Sequence, residues 1–127
     1  GARDASGNSL ITATSGEAAD SICPKGWRLP SKEGNKSYQN LLINSYSYNT
    51  PTNSDAALLA MPLSFIRAGL YYPGGGSFSS QDSDGLLWSS AVYSSDYTYL
   101  LSLDGSTVYP QDSNYRGYGS SVRCVVR

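Results

Sequence analysis

The two cysteines, Cys23 and Cys124, constrain the fold of this chain more than any other feature of its sequence. They are separated by 101 positions and form either one long-range disulfide or two free thiols. A bridge that closes a loop of about 100 residues stabilises a protein by roughly 4 to 5 kcal/mol in the chain-entropy model. We expect the bridge, which indicates an oxidising compartment.

The length and charge of the chain narrow the class of protein. Its 127 residues suit a single domain over 1–127 with one core. The formal net charge is -1 and no run of like charges occurs, so we expect neither a nucleic-acid partner nor an anionic membrane surface. No stretch resembles a signal peptide or a transmembrane helix, so we expect no direct membrane insertion. We expect any export signal, anchor or second domain to lie outside these residues.

The first half of the chain shows helical spacing. Residues 1–20 are small and polar and predict a lead-in strand or loop. Apolar residues recur at helical intervals over about 36–46, which predicts an amphipathic helix. The pair Ser54–Asp55 can cap a second short helix, which Pro62 would end.

The second half alternates apolar and polar residues, which predicts antiparallel strands. From this alternation and from Gly and Pro signals we predict strands over 63–72, 86–92, 97–103, 107–109 and 122–126, loops at 73–76, 79–84 and 110–119, and a two-residue hairpin turn at Asp104–Gly105. Helices followed by an antiparallel meander indicate an α+β architecture.

Little of the chemistry that enzymes or metal sites need is present. The chain has no His, the commonest general base and metal ligand, and two cysteines cannot make a structural zinc site. The Asp residues after position 80 all fall on predicted loops and turns, where Asp is favoured because its side chain can hydrogen-bond to the nearby backbone. Asp82 and Asp84 with nearby carbonyls are an alternative Ca²⁺ site, although the EF-hand spacing is missing. We expect no enzyme activity, no metal and no cofactor.

The segment from Ser89 to Ser121 has an unusual composition. Nine Ser, six Tyr, three Asp, three Gly and one Asn fill 22 of its 33 positions. One interpretation is an ordinary polar sheet, because Tyr suits β-strands. The other is a contact surface, because Tyr with Ser and Gly is typical of paratopes. These five residue types are also all encoded by an Asn codon or by codons reached from it by changing its adenines.

Three motifs carry a resemblance to a known family. They are Cys23-Pro24-Lys25-Gly26-Trp27-Arg28-Leu29-Pro30, Trp88-Ser89-Ser90 and Arg116-Gly117-Tyr118-Gly119-Ser120-Ser121-Val122-Arg123-Cys124-Val125. In this order they resemble C-type-lectin-fold domains of the Fibrobacter major paralogous type. They are also similar to the variable proteins of diversity-generating retroelements, including archaeal and archaeal-virus examples. The resemblance covers roughly Ser21 to Arg127.

This resemblance implies a C-type lectin fold, in which two helices flank a small antiparallel sheet. The Cys23–Cys124 bridge would pin the opening turn to the last strand, with Trp27, Trp88 and Leu101 in the core. Leu103, Val122 and Cys124 would complete the fixed frame. The same fold hosts formylglycine-generating enzymes, but the reactive cysteine pair of that activity is absent here. The calcium-binding Glu-Pro-Asn and Trp-Asn-Asp motifs of classical lectins are absent too.

The resemblance also implies a variable ligand-binding region over about 86–124, whose outward-facing residues are diversified. The positions expected to face a ligand are Tyr93, Asp96, Tyr97, Tyr99, Asp104, Ser106, Tyr109, Asp112, Asn114, Tyr118 and Ser120. Ser120 departs from the family, which often has an aromatic residue there.

Two functions follow as hypotheses. The first is a hypervariable display protein that binds a protein or another macromolecular ligand. The second is a surface adhesin or carbohydrate-binding module without diversification, since Tyr and Trp can stack on sugar rings. For either function we expect a monomer that acts outside the cell, at the cell surface or on a virus particle.

Overall fold

The computed structural model describes residues 3–19, 22–32, 34–46 and 54–127. The fold is a small α+β arrangement with few helices, small antiparallel sheets and one disulfide. Its elements are β1 (Trp27–Arg28), a 3-10 turn (Gly34–Lys36), α1 (Tyr38–Tyr46), α2 (Ala56–Leu59), β2 (Leu70–Tyr72), β3 (Ser77–Ser79), β4 (Gly85–Val92), β5 (Tyr97–Leu103), β6 (Val108–Tyr115) and β7 (Val125–Val126).

Both predicted helices form, with shifted ends. The first begins at Tyr38, because the Ser37 hydroxyl accepts a hydrogen bond from the N–H of Asn40 (3.0 Å) and so caps it. Of the expected capping pair, the Ser54 hydroxyl accepts the N–H of Ala56 (3.3 Å), whereas the side chain of Asp55 makes no capping bond to α2. Its fully buried carboxylate instead accepts two hydrogen bonds from Arg67, from Nε to Oδ2 (2.8 Å) and from Nη2 to Oδ1 (2.7 Å). The ion pair joins the buried start of α2 to Arg67, whose side chain is 27% exposed in the segment that follows the helix.

The main sheet has the order β4-β5-β6, with antiparallel neighbours. The predicted loop 110–119 is wrong over its first half, because β6 continues through Pro110 to Tyr115. The ladder shifts register between Leu100 and Ser102, so an irregularity lies opposite Leu101. Proline is tolerated there because β6 is an outer strand and a bulge needs no N–H at that point.

The predicted two-residue turn at Asp104–Gly105 is also wrong. Leu103 pairs with Val108, which leaves a four-residue loop over 104–107. The Asp104 side chain shapes this loop, because its Oδ1 accepts the N–H of Ser106 (3.1 Å) and the N–H of Thr107 (2.9 Å). An Asx-type loop therefore replaces the tighter turn.

Only the end of the predicted strand 63–72 is a strand. Ser64 has a φ of 48°, and the N–H of Phe65 donates to the carbonyl of Leu58 (2.8 Å), so this part folds back onto α2. The chain becomes extended at β2, which pairs with β3 across the expected turn at 73–76. Ser79, assigned to a loop by the sequence, ends β3.

The disulfide between Cys23 and Cys124 is present, with its Cα atoms 5.7 Å apart. It lies beside the two-stranded sheet β1–β7, in which Trp27 pairs with Val126. This sheet is peripheral, since Trp27 is 43% and Val126 65% exposed. The assignment of Trp27 to the core is therefore wrong, and Val122, at 41% exposure, is not a core residue either.

One hydrophobic core lies between the helices, the 63–65 segment and one face of the main sheet. Its buried members are Tyr38, Leu42, Leu58, Leu63, Phe65, Leu87, Leu101, Leu103 and Val108. Leu101 is fully buried as expected, whereas Trp88 is half-buried. Tyr38 is the large aromatic of this core, and its hydroxyl donates to the carbonyl of Trp88 (3.2 Å). Burial raises the pKa of Tyr38 well above its usual range.

Candidate ligand-binding surface

Six tyrosines form a continuous chain of touching rings, here called the tyrosine belt. In order they are Tyr99, Tyr93, Tyr97, Tyr115, Tyr118 and Tyr72. The successive ring centroids are 5.1, 6.2, 4.3, 5.3 and 5.2 Å apart. These separations lie within the range of attractive aromatic pairs, so the rings support one another.

Strand pairing explains the centre of the belt. Tyr97 pairs with Tyr115 across β5 and β6, so both side chains stand on the same face of the sheet. Tyr99 follows two residues later on that face. The loop between β4 and β5 then returns Tyr93 to this face, because its N–H donates to the carbonyl of Tyr97 (3.2 Å).

A backbone contact between residues far apart in the sequence adds Tyr72, the last residue of the belt. The N–H of Tyr71 donates to the carbonyl of Gly119 (2.7 Å), and the N–H of Gly119 donates back (2.9 Å). A Cβ at Gly119 would lie 3.0 Å from the Cβ of Tyr71, so glycine allows this close approach. The contact docks the β2–β3 hairpin beside the end of β6 and brings Tyr72 to Tyr118.

The belt is partly solvent-exposed and largely uncharged. Tyr93 is 53%, Tyr115 46% and Tyr72 43% exposed, while the other three rings are half-buried. At one end the Nζ of Lys32 lies 4.6 Å from the ring centroid of Tyr99, within cation–π range. A hydrogen bond with Tyr115 raises the pKa of Tyr97 to about 12, with smaller contributions from burial and from the charge of Asp96.

The structure divides the predicted contact residues among three places. Four of them, Tyr93, Tyr97, Tyr99 and Tyr118, are in the belt. Three others, Tyr109, Asp112 and Asn114, pair with Ser102, Leu100 and Thr98 and so stand on the opposite face of the sheet. The predicted set is therefore not one surface.

The remaining predicted residues lie in loops. Asp104 and Ser106 shape the β5–β6 loop, and hydrogen bonds from that loop hold the pKa of Asp104 below its usual value. Asp96 is exposed in the β4–β5 loop, where its carbonyl accepts the N–H of Arg116 (2.9 Å). The hydroxyl oxygen of Ser120 is buried and has no hydrogen-bond partner.

Sequence reasoning missed Tyr115 and Tyr72. Tyr115 fell in the predicted loop 110–119, so its strand position was hidden by Pro110. Tyr72 lies outside the Tyr-rich segment, and only the Tyr71–Gly119 contact brings it near. The same hairpin exposes two further aromatic rings, since Tyr71 and Phe78 pack edge to face at 5.4 Å and are 38% and 67% exposed.

Other features of the described residues do not join the belt. An open depression is lined by Leu59, Phe65, Ile66, Arg67, Ala68, Gln81 and Asp82, none of which is a belt residue. Across the described part of the chain, no group of three or more Cys, Asp or Glu side chains is placed to hold a metal ion. No described helix has the length and apolar character to cross a membrane. Comparison with protein-family models, with curated proteins and with solved structures finds no match for this chain.

Proposed function

We propose that this protein is a display module that binds a protein or another macromolecular ligand through the tyrosine belt. The observation that carries the proposal is the belt itself, in which six tyrosines with part-exposed rings form one chain of ring contacts that is centred on the main sheet. Tyrosine gives a large amphipathic contact area at low entropic cost. A row of tyrosine rings with their hydroxyl groups suits recognition of a protein surface, because tyrosine is enriched in protein–protein interfaces.

The packing of the rings favours a protein ligand over a glycan. Three of the five belt contacts are nearly perpendicular, with interplanar angles of 83°, 75° and 87°, and the two contacts of Tyr115 are tilted at 33° and 45°. In an edge-to-face pair, one ring covers part of the face of its neighbour. Such a belt presents ring edges and hydroxyls, whereas stacking on sugars requires free ring faces.

We further propose that the fold is of the C-type lectin type and that a retroelement diversifies the five belt positions that lie within residues 86–124. The division between core and surface supports this proposal. The buried leucines of β4 and β5 hold the sheet, while the belt side chains contribute little to the core. Such a surface accepts many side-chain combinations. The disulfide is consistent with a location outside the cytoplasm, and we propose an extracellular, cell-surface or virion location.

The genomic test is a search for a second, near-identical copy of the segment encoding residues 86–124 that differs only at adenines of the template. We expect differences at the codons of Tyr93, Tyr97, Tyr99, Tyr115 and Tyr118. The matched controls are the codons of the fully buried Leu100 and Leu101, which we expect to be identical. If the source genome has no such copy, diversification is wrong.

The binding test compares wild-type protein with Tyr97→Ala and Tyr115→Ala on a glycan array. We expect no saturable binding by wild type. Saturable binding that both substitutions abolish would establish the carbohydrate-binding alternative and overturn a protein ligand. Tyr109→Ala is the control, because Tyr109 stands on the other face of the sheet.

A further inference from the structure

Arg116 lies between the belt residues Tyr115 and Tyr118 in the sequence, and its guanidinium group donates an unusual set of hydrogen bonds. Its Nη1 donates to the carbonyls of Leu10 (2.6 Å) and Ile11 (2.8 Å). Its Nη2 donates to the carbonyls of Ala13 (2.6 Å) and Ser94, and its Nε donates to the carbonyl of Tyr97 (3.2 Å). A guanidinium has five N–H donors, so these five acceptors match its full capacity.

The five carbonyls belong to three separate segments. Leu10 to Ala13 lie in the N-terminal segment, Ser94 lies in the β4–β5 loop and Tyr97 begins β5. The N-terminal segment continues along β4, where the N–H of Val92 donates to the carbonyl of Gly16 (2.8 Å). One side chain therefore ties residues far apart in the sequence to the centre of the belt.

Every acceptor of Arg116 is a main-chain carbonyl. The contacts therefore do not depend on which side chain stands at position 94 or 97. A salt bridge to a carboxylate would be lost whenever that residue changed, whereas a carbonyl remains through any substitution other than one that moves the backbone. Hydrogen bonds from a charged donor are also stronger than neutral ones.

We propose that Arg116 is the positioning residue of the belt. It holds the backbone of the β4–β5 loop and of the start of β5 in place independently of their side chains, and it makes the N-terminal segment 10–13 a structural part of the binding surface. The role of Arg116 in ligand binding rests on the proposed function. Its five hydrogen bonds, here called the clamp, can be tested without a ligand.

The test is amide hydrogen exchange by NMR at Tyr93 and Ser94, whose N–H groups both donate to the Tyr97 carbonyl (3.2 and 3.1 Å). In Arg116→Lys, which keeps the charge but loses the five-donor fork, we expect exchange to speed up by about tenfold or more. In Ile11→Ala, which changes an exposed side chain but keeps a carbonyl that Arg116 uses, we expect protection within about twofold of wild type.

Arg127→Ala is the matched control. Arg127 also donates to main-chain carbonyls, those of Trp27 (3.2 Å) and Ala19 (3.1 Å), but away from the belt. We expect it to leave exchange at Tyr93 and Ser94 unchanged. Unchanged protection in Arg116→Lys, or an equal loss in Ile11→Ala, would overturn the inference.

A measurement on wild-type protein covers the case in which Arg116→Lys does not fold. Five simultaneous hydrogen bonds stop rotation of the guanidinium, so we expect separate, slowly exchanging Nη–H signals for Arg116 at neutral pH. A single, averaged, fast-exchanging signal would reject the clamp. None of these measurements involves a ligand, so the clamp stands even if the belt variants show that the proposed function is wrong, and the reverse also holds.

Discussion

The two ends of strand β5 place side chains on the same face of the sheet, but these side chains differ in burial. Tyr97 and Tyr99 at its start are half-buried members of the belt, whereas Leu101 and Leu103 at its end are fully buried. The helices and the 63–65 segment cover the leucine end, whereas neighbouring tyrosines and the Nζ of Lys32 contact the tyrosine end. The comparison shows that the buried scaffold and the proposed contact surface are consecutive parts of one strand.

The disulfide should have the largest effect, because it constrains the unfolded chain and thus stabilises both ends of β5 together. We expect Cys23→Ser with Cys124→Ser to lower the free energy of unfolding by about 4 kcal/mol and the Tm by roughly 10 °C or more. Thermal denaturation followed by circular dichroism measures this. Strong reductant should reproduce the shift in wild type and leave the double variant unchanged; an unshifted wild-type curve contradicts the prediction.

The second prediction compares the loss of stability caused by a substitution at each end of β5. Leu101→Ala opens a cavity in the core and should reduce the free energy of unfolding by about 3 kcal/mol. Tyr99→Ala should cost about 1 kcal/mol, since it removes a half-exposed ring and its contact with Tyr93. Urea denaturation of both variants gives the comparison. Equal losses would mean that the belt is part of the core.

A pH titration tests the middle of the belt. The pKa of Tyr97 is raised to about 12 in the folded protein, chiefly by its hydrogen bond with Tyr115, against an ordinary value near 10. The folded state therefore keeps a proton that the unfolded chain loses. This stabilisation is complete below about pH 10 and disappears as the pH rises towards 12.

The measurement is urea denaturation at a series of pH values in wild type and in Tyr115→Phe. We expect the fall in stability between about pH 10 and 12 to be shallower in Tyr115→Phe, because the hydrogen bond that raises the pKa of Tyr97 is removed. Identical pH profiles would show that this bond does not set the ionisation of Tyr97.

The smallest effect contrasts the two faces of the sheet. Tyr109→Ser should change the free energy of unfolding by no more than about 0.5 kcal/mol and leave the near-UV circular dichroism of the ring cluster unchanged. Tyr115→Ser, on the belt face, should alter that spectrum because two ring contacts are lost. A changed spectrum in Tyr109→Ser would place Tyr109 within the coupled rings.

The sequence predicted the strands whose residues alternate without interruption. In β5 the pattern of Tyr97 to Leu103 is regular, and both limits agree with the structure. Pro110 broke the same pattern in β6, because an outer strand with a bulge tolerates a residue that a central strand excludes. Trp27 was misplaced for a different reason, since its hydrophobicity does not reveal that its sheet is peripheral.

The candidate site was predictable only in part. Its four predicted members come from the Tyr-rich segment, which composition identifies. Whether a side chain such as that of Asn114 faces the belt depends on the register after the bulge, and a one-residue shift moves it to the other face. Tyr72 joins through a contact between distant parts of the chain, which local patterns do not encode.

The irregularity at Pro110 has a consequence for solubility. β6 is the outer strand of the sheet, and an outer strand with free N–H groups invites pairing with a second molecule and aggregation. Pro110 has no N–H to offer, and the neighbouring Gln111 uses its side-chain amide to donate to the carbonyl of Lys32 (3.0 Å). Pro110 therefore removes one N–H donor from the outer strand beside the tyrosine belt, which disfavours strand pairing between two molecules at that position.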